Sequence, residues 1–189
     1  TYAAHTAAYP EIDWPAFAEA FVTDLGLDHT AVATQVNPCD DMAALFDAVR
    51  GVNNVLIDMD RDMWLYISDR YLGQRTVDGE TGSSTMPHKV NPLDFENSEG
   101  NLSKANSDLT FLADYVTTSR LQRDLSDSTV KRNIGAAFSH CLIAYGKTQA
   151  GLDKIVPNEQ VMTDDLEATP EIIGEAVQTI LRREGDTDA

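Results

Sequence analysis

The sequence predicts an all-α fold, a bundle of long helices, and three observations carry that expectation. Met42, Leu45, Val49, Val52, Leu56, Met59, Met63 and Tyr66 recur in alternating steps of three and four. Such a heptad-like seam marks a long helix packed nearly parallel to others. Leu102, Ala105, Leu109, Leu112 and Val116 repeat the same spacing on a second segment. No stretch shows the period-two alternation of a half-buried strand.

The elements follow in order. Residues 1–12 read as irregular, with Pro10 as a breaker. Asp13-Trp14-Pro15 reads as a helix start, because Asp caps the free N–H groups and Pro is tolerated in the first turn. That helix runs from Ala16 to Leu25 and stops at Gly26. A connector over 27–38 contains Gln35, Asn37 and Pro38. Asp40 and Asp41 then open the seam helix, which is expected to reach Tyr71 or Leu72 despite the mild cost of Gly51. Residues 73–92 form a polar loop, and a second long helix covers Leu93 to Thr118. After a break at Gln122-Arg123-Asp124-Leu125, Ser126 to Ser128 cap a third helix to about Ala150. Its interior holds Ile134, Phe138, Cys141, Leu142 and Tyr145, with Gly135, Ala136 and Ala137 allowing close approach. Two shorter amphipathic helices, 158–167 and 170–183, precede a frayed tail.

Composition narrows the function. The 189 residues are 42% hydrophobic, enough to build a core. No apolar run approaches the roughly 20 residues of a membrane helix, and no leader pattern is visible, so a cytoplasmic protein is expected. Cys39 and Cys141 are read as free thiols. With 31 acidic and 14 basic residues the net charge is −17, which repels nucleic acid. Against that field, clustered basic residues need a local reason.

The loop Gly82-Ser83-Ser84-Thr85-Met86-Pro87-His88-Lys89-Val90-Asn91-Pro92 is the place to look for chemistry. It combines two adjacent serines, a lysine, an imidazole and an amide between Gly and Pro. Loops of this kind on rigid scaffolds often carry function, although Ser is as common in ordinary turns. A second constellation is Arg120, Arg123, Ser126, Ser128, Thr129, Lys131 and Arg132. Guanidinium groups and hydroxyls at a helix start can grip a phosphate. The bland alternative is a basic helix start paired with Asp124 and Asp127. No His/Cys/Asp spacing matches a metal site.

GSSTMPHKVNP closely resembles the signature loop of the fumarase/aspartase superfamily (GSSxMPxKxNP), and the extension DFENSEGNL resembles its adenylosuccinate lyase branch. RDLSDSTVKR is similar to that branch's nucleotide-phosphate segment, with Lys131 departing from an apolar position. The resemblance runs from Tyr2 to about Gly185. It implies a β-elimination that releases fumarate from adenylosuccinate and from the succinyl-carboxamide ribotide of purine biosynthesis, with no cofactor. It implies that Ser83 is the catalytic base, held as an alkoxide by the closed loop and by Lys89. It further implies that Ser84, Lys89, Val90, Asn91, Asn97 and Gln35 contact substrate. Arg123, Ser128, Thr129, Val130, Lys131 and Arg132 would hold the phosphate. His88 is not the main acid; His5, His29 and His140 read as structural or exposed.

The superfamily fold is a long-helix bundle completed by oligomerisation as a homotetramer, with sites assembled from three chains. On this reading residues 1–185 are the central helical-bundle portion, with the signature loop at 73–92 and a tail at 186–189. The family's N-terminal and C-terminal domains are absent, including the stretch with the acid histidine, so the chain alone is expected to be inactive. The alternatives are another lyase of the superfamily, namely argininosuccinate lyase, fumarase or aspartase, or a catalytically dead helical assembly module.

Overall fold

The computed structural model describes residues 2–75 and 91–186. Its elements are α1 (Ala3–Ala8), α2 (Trp14–Asp24), α3 (Asp40–Ser68), β1 (Leu72–Gln74), α4 (Leu93–Val116), α5 (Ser126–Lys131), α6 (Ile134–Lys154), β2 (Ile155–Pro157), α7 (Glu159–Ala168), a 3-10 turn (Pro170–Ile172) and α8 (Ile173–Arg183). The all-α expectation holds. The chain divides into two compact units, one of residues 1–51 and 106–137, the other of 52–105 and 138–189, so α3, α4 and α6 each contribute to both. Among the described residues no helix is long and apolar enough to cross a membrane.

In the first unit, α2 starts as its sequence demands: the Asp13 carboxylate accepts from the backbone N–H of Ala16 at 3.1 Å. Gly26, at φ +74°, follows its end in the left-handed conformation that glycine adopts without penalty. The preceding residues differ from expectation. Ala3, Ala4, Ala7 and Ala8 form α1 rather than irregular chain, since alanine has the highest helix propensity and Pro10 acts only beyond Tyr9. Cys39 opens α3 at φ +64° and accepts from Ala43 N–H. This strained backbone is held by Asn37, whose side-chain oxygen accepts from Cys39 N–H at 2.7 Å.

In the second unit, helix directions can be read from side-chain pairs. Arg61 reaches Glu99 and Trp64 reaches Glu96, so α3 and α4 run antiparallel. Asn53 reaches Cys141 and Thr148 reaches Asp60, with the same offset in both pairs, so α3 and α6 run parallel. The buried row of α6 is Ala137, Cys141, Ala144, Thr148 and Gly151. Small residues do allow close approach here, but Gly135, Ala136 and Leu142 face outward. On α3 the buried positions are Phe46, Asn53 and Asp60, one heptad apart, while Leu45 and Val52 of the expected seam stay more than half exposed.

Two further departures concern connections. The seam helix stops at Ser68, because Arg70 turns to φ +66° and residues 72–74 pair as a strand. Leu72, Gly73 and Gln74 oppose Pro157, Val156 and Ile155 in an antiparallel ribbon. Three-residue strands are too short to show a period. The expected third helix is split after Lys131. Asn133 donates from its backbone to Val130 O in a tighter turn, directs its side-chain amide toward the carbonyls of Thr129 and Val130, and offers its own carbonyl to Ala136 and Ala137. The continuation passes Gly151 and ends at Lys154.

Gly151 is required by packing. A Cβ there would stand 2.7 Å from Cζ of Phe95, a ring only 1% exposed. Gly151→Ala is expected to destabilise the chain by about 1–3 kcal/mol in urea unfolding. Gly146→Ala, on the same helix with open space around it, should stabilise by about 0.5–1 kcal/mol.

Candidate functional site

The residues singled out by sequence fall into three groups. Ser83, Ser84, His88, Lys89 and Val90 lie outside the described residues. Asn91 and Asn97 belong to the second unit; Gln35, Arg123, Ser128, Thr129, Val130, Lys131 and Arg132 belong to the first.

Both flanks of residues 76–90 are tied to the C-terminal end of α6. On one side Arg75 N–H donates to the Lys154 carbonyl at 2.8 Å, continuing the ribbon. On the other side the Lys154 ammonium donates to Asp94 at 2.6 Å, and Lys147 adds a second donor at 3.0 Å. Asp94 is 8% exposed. Burial pulls its carboxyl upward, but hydrogen bonds and charge from Lys154 and Lys147 overcome that and hold it below the ordinary 3.8. Asp94 also stands in the first turn of α4, where a negative charge complements the free N–H groups. None of these contacts was legible in sequence, since Lys147 and Lys154 carry no motif.

One turn further along α4 the core becomes polar. Asp60 (1% exposed), Ser98 and Thr148 meet where three helices converge. Thr148 Oγ1 donates to Asp60 at 3.1 Å and lies 2.7 Å from Ser98 Oγ. Burial is the main influence on Asp60 and holds its carboxyl above the ordinary 3.8; hydrogen bonds from Ser98 and Thr148 oppose it, and the charge of Glu99 adds to it. One heptad earlier, Tyr145 Oη donates to Asn53 at 2.7 Å and the Asn53 amide donates to Cys141 Sγ at 3.3 Å. Burial, then Cys141, pushes the Tyr145 hydroxyl up to about 12.

Asn97, next to Ser98, faces outward on α4. Asn101, one turn on, donates its amide to the Asn97 carbonyl at 2.9 Å and to Asn97 Oδ1 at 3.1 Å. Its oxygen lies 2.8 Å from His140 Nδ1.

In the first unit the basic cluster is sorted by its partners. Arg120 pairs with Asp124, and Lys131 with Asp127 at 3.2 Å. The Asp127 hydrogen bond, with Cys39 nearby, holds the Lys131 ammonium above its ordinary value. Arg123 and Arg132 are exposed and form no ion pair among the described residues. At the start of α5 one backbone N–H has a side-chain partner. Asp124 accepts from the backbone N–H and the hydroxyl of Ser126 at 2.9 and 2.8 Å, contacts that hold its carboxyl below the usual range. Ser128 donates to the Leu125 carbonyl at 2.9 Å. α5 has six residues, and of its first N–H groups that of Ser126 is taken by Asp124. Within this cluster, Arg123 and Arg132 are the cations without an ion pair among the described residues.

Comparison with known proteins places the chain in a class. A family model described as Lyase matches residues 1–106, and the chain belongs to that family. A second model, described as Adenylosuccinate lyase C-terminal, matches residues 119–189. Similar proteins include the adenylosuccinate lyases of Haemophilus influenzae (50% identical over 184 residues, 97% of this chain and 40% of the relative) and Escherichia coli strain K12 (51% over 184 residues, 97% and 40%). That of Dictyostelium discoideum is 50% identical over 184 residues, 96% of this chain and 40% of the relative. The chain thus spans about 40% of the length of these curated relatives.

The two buried aspartates should respond to pH with opposite sign. Asp94, lowered, contributes stability that is present above about pH 3.8 and is lost as pH falls through its folded value. Asp60, raised, costs stability as pH climbs from about 3.8 through its folded value. In urea unfolding from about pH 2 to 7, Asp94→Asn should therefore lose ground to the wild type as pH rises toward about 3.8 and keep a constant deficit above it. Asp60→Asn should gain on it. The same trend in both variants would contradict the assignment.

Proposed function

We propose that this chain is part of an adenylosuccinate lyase, an enzyme that eliminates fumarate from adenylosuccinate to give AMP and performs the equivalent cleavage on the succinyl-carboxamide ribotide. The observation that carries this reading is the identity of about 50% to adenylosuccinate lyases along nearly the whole chain. The match of residues 119–189 to the adenylosuccinate lyase C-terminal model includes the Arg123–Arg132 segment and favours this branch over lyases whose substrates lack a phosphate.

In the proposed reaction the Ser83 alkoxide removes the proton from the carbon β to the leaving nitrogen. The electron pair left on carbon becomes the fumarate double bond as the C–N bond breaks, and an acid from outside these residues protonates the nitrogen. Lys89 and Asn91 would hold the succinyl carboxylates, where negative charge develops. Ser84, Val90, Asn97 and Gln35 complete the contacts. Arg123 and Arg132 would grip the 5′-phosphate with Ser128, Thr129 and Val130, while Lys131, engaged by Asp127, contributes less.

Self-association as a homotetramer in the cytoplasm belongs to the same reading. It is supported by the apolar surface left on the long helices at Leu45, Val52, Val55, Phe111, Leu142 and Ile143. In the proposal neighbouring chains cover that surface, and the chain alone does not turn over substrate because the acid histidine is not among these residues and neighbouring surfaces are needed for the site.

Phosphate recognition is directly testable. AMP should bind the purified chain more tightly than argininosuccinate does, and Arg132→Ala should weaken AMP by about ten-fold or more. Equal binding of the two ligands, or no effect of Arg132→Ala, would favour the other lyases or a dead assembly module.

A further inference from the structure

The three hydrogen bonds joining Asn97, Asn101 and His140 determine one another. The Asn97 backbone carbonyl can only accept, so the end of the Asn101 amide that faces it is the amino group. That same amino group donates to Asn97 Oδ1. The other end of Asn101 is therefore its oxygen, and the His140 Nδ1 beside it must carry the hydrogen. With its oxygen turned toward Asn101, the Asn97 side chain points its two N–H donors the other way.

We propose that Asn101 and His140 are positioning residues that, through this chain of hydrogen bonds, fix Asn97 with its NH2 group presented outward to an acceptor such as a substrate carboxylate. The last step rests on the reading of Asn97 as a substrate contact; the chain of hydrogen bonds does not. An asparagine free to flip would offer oxygen to a carboxylate half the time, and two facing acceptors repel. His140 and Asn101 remove that option.

The full 189-residue chain, labelled with nitrogen-15, provides the test by NMR. Whenever the His140 ring carries a single proton, that proton should sit on Nδ1. The Asn97 side-chain NH2 should be ordered. His140→Phe removes the donor and should set that group moving. His140→Asn should restore order, because its amide nitrogen is the same number of bonds from the backbone as Nδ1. His140→Gln, whose nitrogen is one bond further out, should not. A proton on Nε2, or an Asn97 amide equally ordered in His140→Phe, would overturn the proposal. A fumarate titration separates it from the functional reading. Fumarate should shift the Asn97 NH2 signals and bind about five-fold more weakly to His140→Phe. Correct tautomer and ordering without any fumarate effect on Asn97 would sink the assignment of Asn97 to the dicarboxylate and leave the positioning role standing.

Discussion

Lys154 holds both flanks of the segment in which the sequence concentrates its chemistry. Its backbone carbonyl receives Arg75 and its ammonium receives Asp94, so one residue at the end of α6 fixes where the chain leaves for residue 76 and where it returns as α4. The pair is largely buried, with side-chain exposures of 15% and 11%. Removing one partner from such a pair strands a charge in the core, which costs far more than the pair contributes over an apolar substitute. The geometry is fixed by that penalty as much as by attraction.

From this staple the second unit is organised in layers along α4. Asp94 meets the lysines, Phe95 lies over Gly151, Ser98 joins Asp60 and Thr148, and Asn101 meets His140. The polar layers recur at heptad spacing on α3 and α6, at Asn53 with Cys141 and at Asp60 with Thr148. A slip of one helix past another would leave several buried polar groups without partners at once. The register of α4, and with it the placement of Asn97, therefore follows from these buried layers.

The sequence made the long helices legible because their apolar spacing is a direct record of burial. It was less informative where burial is polar or absent: Asn53 and Asp60 occupy the deepest positions of α3, and a hydrophobicity pattern assigns them to the surface. The ribbon was invisible for its brevity, and the break at Asn133 because a side-chain amide competing for carbonyls leaves no periodic trace. The serine loop and the arginine cluster stood out by their residue chemistry, and their expected roles came from resemblance. What the structure adds are the supports, Lys147, Lys154, Asn101 and His140, whose roles depend on partners 39 to 60 residues away.

The central claim is that the Lys154 ammonium secures the start of α4. Hydrogen exchange on Lys154→Met tests it most directly, because the substitution keeps the backbone carbonyl and an unbranched side chain that lacks only the ammonium end. Amides in the first turns of α4, around 95–98, should exchange about ten-fold faster or more, while Arg75 N–H stays protected by the unchanged carbonyl. Unaltered exchange over 95–98, or loss of protection spread evenly through α4 and the ribbon, would contradict the account.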